Sequence, residues 1–371
     1  EESTGLQFTS DATFIQTGNT GKIQANLESR FLTPYTSLRY FPDGKRNCYN
    51  LRVEKARTHL IRARFLYGNY DGKDIYPKFD LYLGPNPWDT IDLHRLENGT
   101  QREIFHIPTS NSLQICLVKT GETTPLITAL EIRPMDNDTY ITESGSLSLF
   151  SRRYNSQSET YIRFPDDVYD RQWFAYFQPE WTQKNTTSVV RNNNDYEPPK
   201  SALSTAATPT NASAPLTIEW STDNPEDDEY YLFTHFAEIQ ELQSNETREF
   251  NMFWNREPYY GPLTPTKLVI NTIQSRSAET CREGKCSLQL IKSNISTLPP
   301  LLNAFEIFKV IQFPQAETDD NEVATIKNIE ATYVLSRINW QGDPCVPREF
   351  MWDALNCSST AISTPPRITS L

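Results

Sequence analysis

Apolar residues in this chain fall in short runs that alternate with polar ones, the two-residue period of half-buried strands. Residues 59–67, 79–83, 113–118 and 126–132 are the clearest, each rich in aromatic and β-branched side chains. The 25 prolines sit mostly between such runs, where they limit strand length and favour loops. The pattern predicts an all-β, loop-rich sandwich.

The pattern also repeats. Phe65-Leu66-Tyr67 aligns with Phe236-Ala237-Glu238 at an offset of 171 residues, and Phe79-Asp80-Leu81-Tyr82-Leu83 aligns with Phe250-Asn251-Met252-Phe253-Trp254 at the same offset. Ala129-Leu130-Glu131-Ile132 aligns with Ala304-Phe305-Glu306-Ile307 at 175. Arg163-Phe164-Pro165-Asp166 echoes Tyr40-Phe41-Pro42-Asp43 at 123, which a longer connection in the second copy, over residues 182–213, would explain. The expected organisation is two β-sandwiches in tandem, residues 1–150 and 151–316, followed by a third segment, 317–371.

One helix is expected in that last segment. Asp319-Asp320-Asn321-Glu322 fits a capping box, with Asp319 accepting from the first-turn amides and Glu322 reaching back. Val323, Ile326, Ile329 and Tyr333 follow at helical spacing, predicting a helix to about Ser336 with one packed face.

Composition narrows the function. Aromatics are 12% of the chain, too many for a disordered segment. The net charge of -12 argues against a nucleic-acid partner, since phosphate contacts need clustered Lys and Arg. A basic peptide or a neutral sugar fits that charge. Mean hydropathy is -0.59 and no long apolar run is present, so no membrane span is written here. Glu1 at the start fits removal of a leader peptide, or simple trimming.

The six cysteines lack a Cys-x-x-Cys spacing, and six allow fifteen pairings. Cys281 and Cys286 bracket a plausible hairpin tip, and Cys345 and Cys357 would close a small cap; Cys48–Cys116 is then the remaining pair. Seven Asn-x-Ser/Thr sequons are present. Asn98, Asn137, Asn185, Asn211, Asn245 and Asn294 are candidate glycosylation sites; Asn356 is disfavoured because Cys357 occupies its middle position. Paired cysteines and sequons together suit an extracellular setting.

Catalytic motifs are missing. His59, His94, His106 and His235 fall in no metal-binding spacing, and no Gly-x-Ser-x-Gly elbow occurs. The acidic clusters Asp166-Asp167 and Glu226-Asp227-Asp228-Glu229 read as solvated loops, with calcium at the second a minor alternative. A glycosidase would need two facing carboxylates in a cleft. The expectation is a non-enzymatic chain with no catalytic residue, metal or cofactor.

The ending carries the most specific signal. Gly342-Asp343-Pro344 is a turn, Trp340 and Trp352 flank Cys345, and Ile368-x-x-Leu371 reads as the first beat of a leucine-rich repeat. A repeat array needs such a cap over its first apolar face. This ending resembles the Gly-Asp-Pro-Cys junction of plant receptor-like kinases that carry a malectin-like ectodomain before leucine-rich repeats. Thr4-Gly5-Leu6-Gln7-Phe8-Thr9-Ser10-Asp11, Leu38-Arg39-Tyr40-Phe41-Pro42-Asp43 and Phe65-Leu66-Tyr67-Gly68-Asn69-Tyr70-Asp71-Gly72 are similar to that family's motifs, in the same order. The resemblance implies two tandem malectin-like, jelly-roll-like sandwiches, a connecting helix and a disulfide-closed repeat cap. It further implies a place on the extracellular face of the plasma membrane and a role in recognition and signalling. Expected partners are a secreted peptide or a co-receptor kinase ectodomain, with a cell-wall or glucosyl oligosaccharide as the alternative. Animal malectin binds glucosyl disaccharides through aromatics and an acid, positions that plant malectin-like domains often lack.

Two surfaces are candidates. Tyr67, Asn69, Tyr70 and Asp71, with Trp88 and Asp89 on a second loop, supply aromatic faces and polar groups suited to a pyranose. They compete with a plain structural role for Tyr67 and Trp88. Trp254, Arg256, Tyr259 and Tyr260 are candidates for partner contact, since aromatics and Arg are enriched at interaction hot spots. A crevice between the sandwiches is a third option for a basic peptide.

Overall fold

The alternating runs fold as strands. The computed structural model describes residues 1, 3–136, 139–222, 224–333, 339–358 and 361–371. It forms two units, one of Glu1–Ile141 together with Ile311–Leu371, the other of Thr142–Val310. The chain is mostly β.

In the first unit, β1 (Arg46–Arg52), β2 (His59–Phe65), β3 (Lys78–Leu83), β4 (Asn86–Asp92), β5 (Thr100–His106), β6 (Ser112–Lys119) and β7 (Ala129–Pro134) make up the sandwich. Four of them pair antiparallel in the order β1-β6-β3-β4. The other three run β7-β2-β5, also antiparallel. Alternate residues of both layers, among them Phe65, Phe79, Leu81, Ile91, Ile104, Ile115 and Leu117, form one buried core. The run 126–132 is split, because Thr128 turns both its amide and its hydroxyl to the neighbouring chain. Its N–H donates to the Arg64 carbonyl at 2.8 Å, and its hydroxyl accepts from the Leu66 N–H at 2.8 Å.

In the second unit the corresponding strands are β8 (Leu216–Ser221), β9 (Glu229–Phe236), β10 (Phe250–Trp254), β11 (Glu257–Leu263), β12 (Asn271–Gln274), β13 (Lys285–Lys292) and β14 (Ala304–Ile311). Their orders are β8-β13-β10-β11 and β14-β9-β12. Strand for strand this is the connectivity of the first unit. Even the hairpins share a register: Leu83 faces Asn86, and Trp254 faces Glu257. The stretch 182–213 is structured: Trp181–Asn185 pairs antiparallel with Thr205–Pro209.

Four acidic or histidine residues of the second unit, Glu306, His235, Asp167 and Asp228, are buried and paired. Glu306 accepts from Arg152 Nε at 2.5 Å and lies 3.3 Å from His235 Nε2, all fully buried. Burial alone would raise the Glu306 pKa, but the Arg152 charge and the His235 contact outweigh it and hold the carboxyl low. Asp167 is buried and accepts from Arg171 Nε at 2.9 Å and Trp173 Nε1 at 2.8 Å. Asp228 is buried against Lys309 at 2.5 Å. The reading of these two aspartates as solvated loop residues is therefore corrected: each is buried because it has a cationic partner.

The C-terminal segment packs within the first unit. Helix α1 (Asp320–Thr332) begins on Asp319, whose side chain accepts from the N–H groups of Asn321 and Glu322. The reciprocal half of the capping box does not form. Glu322 instead accepts from Arg367 Nε at 2.5 Å and from the Ile368 N–H at 2.5 Å. Ile326 is buried as expected, but Tyr333 is 71% exposed, because the last turn carries it off the packed face. Ser336 lies outside the described residues. Beyond the helix, Trp340 and Trp352 stack at 4.9 Å over Ile326 and Leu355. Asn356–Cys357 pairs with Ile368–Ser370.

Candidate functional site

The sequence 67–74 builds a turn that folds on its own polar atoms. The Tyr67 hydroxyl donates to Asp71 Oδ1 at 2.6 Å, lies 3.2 Å from Asn69 Oδ1, and accepts from the Ile75 N–H at 3.2 Å. Asn69 Oδ1 also accepts from the Asp74 N–H at 3.0 Å, and Asp71 Oδ1 from the Lys73 N–H at 3.2 Å. Asn69 and Asp74 adopt positive φ, which short polar side chains tolerate when they bond locally. Burial, with help from the Asp71 bond, pushes the Tyr67 phenol above its ordinary range. Tyr67, Asn69 and Asp71 are thus brought together, but the Tyr67 hydroxyl, Asn69 Oδ1 and Asp71 Oδ1 are engaged within the loop.

Tyr70, in the same loop, is half-buried and contributes an aromatic ring beside Tyr67. Its ring lies 4.7 Å from Tyr40 and 5.7 Å from Tyr67, and Tyr76 packs 5.2 Å from Tyr67. Tyr40, Tyr70 and Tyr76 are all half-buried and pack against the core, forming an aromatic ledge around Tyr67 at its edge. Burial pushes the Tyr70 phenol up to about 12, with Asp71 and Tyr40 adding to the shift. Tyr40 and Tyr76 were not among the candidates. Tyr40 sits in the Leu38–Asp43 motif, 30 positions before Tyr70, so only the fold reveals their contact.

Trp88 and Asp89 do not join this ledge as a pair. Trp88 is 5% exposed and belongs to the sandwich core. Asp89, its neighbour on β4, points to the opposite face and pairs with Arg102.

In the second unit the 254–260 segment is a tight hairpin. Asn255 and Arg256 both take positive φ, 46° and 72°, as a two-residue turn between twisted strands requires. Trp254 is 6% exposed; its Nε1 donates to the Thr280 carbonyl at 2.9 Å, and its ring packs 5.2 Å from Trp220. The Tyr259 hydroxyl donates to Ser275 Oγ at 2.6 Å, and burial raises its pKa. Trp254 is therefore a core residue, while Arg256 is exposed and Tyr260 half-exposed at the hairpin end.

The cysteines pair as Cys48–Cys116, Cys281–Cys286 and Cys345–Cys357. The sequon residues Asn98, Asn185, Asn211, Asn245 and Asn294 are exposed; Asn137 lies outside the described residues. Among the described residues, no helix is long and apolar enough to cross a membrane, and no three His, Cys, Asp or Glu side chains converge as a metal site.

Known proteins place this geometry in a family. The probable LRR receptor-like serine/threonine-protein kinase At5g59680 of Arabidopsis thaliana is 68% identical over 371 residues, covering 100% of this chain and 42% of the relative. The probable LRR receptor-like kinase PAM74 of the same plant is 59% identical, with the same coverage. The chain thus spans well under half the length of these kinases, in their ectodomain region. Among solved structures, the ANX2 ectodomain of Arabidopsis thaliana superposes with a TM-score of 0.67 at 20% identity, over 82% of this chain and 91% of that one. The plant complex of peptide RALF23 with FER and LLG2 contains a chain that matches at 0.67 and 18% identity, over 83% and 92%. The malectin-like domain profile matches residues 1–310, and the chain belongs to the malectin-like domain family, whose fold is non-enzymatic.

Proposed function

We propose that this chain is the extracellular recognition module of a plasma-membrane receptor-like kinase, and that it engages a secreted peptide or a co-receptor ectodomain. Its two sandwiches act as tandem malectin-like domains, and the disulfide-closed segment after α1 caps the start of leucine-rich repeats. Engagement outside the cell would bring the kinase domains together. The observation that carries this reading is 68% identity, over the whole of this chain, to the ectodomain region of a probable receptor-like kinase. The solved complex of a malectin-like receptor with a peptide and a third protein supports it. The exposed Arg256 and the half-exposed Tyr260 of the β10–β11 hairpin supply the residue types that anchor protein contacts.

The test is surface plasmon resonance of the glycosylated chain against secreted peptides and co-receptor ectodomains, beside an Arg256→Ala/Tyr260→Ala variant. Saturable binding weakened about tenfold or more in the variant supports the reading and its surface. Binding of oligosaccharides alone overturns it in favour of a wall-sugar sensor. The Tyr40–Tyr70–Tyr76 ledge is the observation that favours this second reading, because a half-buried aromatic face suits the apolar side of a pyranose.

A further inference from the structure

Between α1 and the outer face of β6, within the first unit, lies an open cavity of about 320 Å³. Its floor includes Gln114, which alternates along β6 with the core residues Leu113 and Ile115 and so faces away from the sandwich interior. Its roof is the helical face of Asp320, Val323, Ala324 and Lys327, and its end wall is Glu317 and Asp343.

The polar atoms of this cavity are unequally satisfied. Asp343 is saturated: it accepts from the Thr318 N–H at 2.8 Å, the Thr318 hydroxyl at 2.5 Å, and the N–H groups of Cys345 and Val346 at 2.9 and 3.0 Å. Gln114 is 7% exposed, and its Oε1 has no hydrogen-bond partner among the described residues. A buried acceptor of this kind costs free energy until a donor reaches it. Burial and the charges of Asp343 and Asp320 push the Glu317 pKa up to about 7, against a Thr109 hydrogen bond that lowers it, and a cation would favour its ionised form. Against these acceptors stands Lys327, whose Nζ lies 3.5 Å from Asn50 Oδ1. The set is rich in acceptors and short of cationic donors.

We infer that this cavity is a binding site for a guanidinium or primary ammonium group, of the kind an arginine or lysine side chain presents. A flat guanidinium, with several donors in one plane, can reach carboxylate and amide oxygens together. The volume corresponds to about ten water molecules, enough for such a side chain. Lys327 is then left to meet a carbonyl or carboxylate of the same ligand. The inference goes beyond the choice between peptide and sugar as the principal ligand, and its test needs neither.

The test is a ligand-observed NMR titration of the whole chain with N-acetyl-arginine amide, run beside its neutral isostere N-acetyl-citrulline amide. Glu317→Gln and Gln114→Leu variants follow, with thermal melting to verify that each folds. Expected is saturation by the arginine probe in the millimolar range, with the citrulline probe at least about tenfold weaker. Glu317→Gln should weaken the arginine probe at least about fivefold without lowering the melting temperature. Equal binding of the two probes, no saturation by either, or arginine binding unchanged in both folded variants overturns the inference.

Discussion

Arg46 on β1 donates through Nη2 to the carbonyl of Asp343 at 2.8 Å, 297 residues further along the chain. The same guanidinium also donates to the carbonyls of Phe350 at 3.0 Å and Val346 at 3.2 Å, and to that of Gln341. Its side chain is buried, and the Phe350 ring lies 5.1 Å away. Burial lowers its pKa to about 10, partly opposed by the Asp343 charge. One cation thus gathers the carbonyls of Asp343 in the Gly-Asp-Pro-Cys segment and of Gln341, Val346 and Phe350 around it onto the first sandwich.

Removing that cation should loosen the junction. Arg46→Ala is expected to destabilise the first unit by about 3 kcal/mol, since it strands buried carbonyls. Arg46→Lys should recover only part of this, because one ammonium cannot span the same fan of acceptors. Urea denaturation followed by tryptophan fluorescence measures both. A Lys variant as stable as the parent would show that charge alone, and not the fork, holds the segment.

Gly342 is the closest backbone approach in this contact. Its φ is +70°, and a Cβ there would lie 2.8 Å from Cys48 Sγ and 2.9 Å from Arg46 Cζ. Gly342→Ala should cost about 2 kcal/mol or more, from backbone strain and from the clash with the Cys48–Cys116 bridge. The same denaturation experiment reads it, and an unchanged midpoint would mean the segment does not seat against the disulfide.

Glu317 gives the fold a pH dependence of definite sign. Its folded pKa of about 7 lies above the ordinary value of 4.5. The folded state therefore binds its proton more tightly than the unfolded chain does. Its unfavourable contribution is nil well below pH 4.5, grows as pH rises through the window, and is complete above about pH 7. Glu317→Gln is expected to stabilise the chain at pH 8 by about 2 kcal/mol and to make no difference at pH 4. Melting curves at the two pH values check this; an equal gain at both would remove the carboxyl charge as the cause.

Trp88 and Asp89 should separate cleanly. Trp88→Ala opens the sandwich core and is expected to cost about 3–5 kcal/mol. Asp89→Ala should stay within about 0.5 kcal/mol of the parent, as surface changes usually do. Loss of any ligand binding in the Trp88 variant then reports folding, not contact.

Tyr70→Ala should cost about 1–2 kcal/mol, since the half-buried ring packs on the core and against Tyr40 and Tyr67, and should leave the chain folded. If the ledge reads sugars, the same change abolishes oligosaccharide binding; calorimetric titration distinguishes a lost site from an absent one.

Much of the fold was legible in the sequence, because a two-residue period reports which strand face is buried. The equal offsets of Phe65/Phe236 and Phe79/Phe250 pointed to strands that occupy equivalent places in the two units. Period does not report which aromatic at a strand end is inside. Tyr67, Trp88 and Trp254 read as surface candidates and are buried at 2%, 5% and 6% exposure. Their neighbours Tyr70, Asp89 and Arg256 took the more open positions. Glu322 shows the same limit. The local pattern favoured a capping box, and Arg367 and Ile368, 45 and 46 positions away, captured the carboxylate instead. The Tyr40–Tyr70 contact and the Arg46 fan are likewise long-range, and no local signal encodes them.

The return of Ile311–Leu371 to the first unit has a consequence for the order of assembly. The second unit is contiguous in the chain, so all its strands are available once residue 311 has been synthesised. The first unit begins earlier yet must wait longer, with Arg46 and the Cys48–Cys116 face uncovered until residue 350 emerges. A fragment ending at residue 311, one residue past the family match, would keep every strand of both sandwiches and still leave the first unit unfinished.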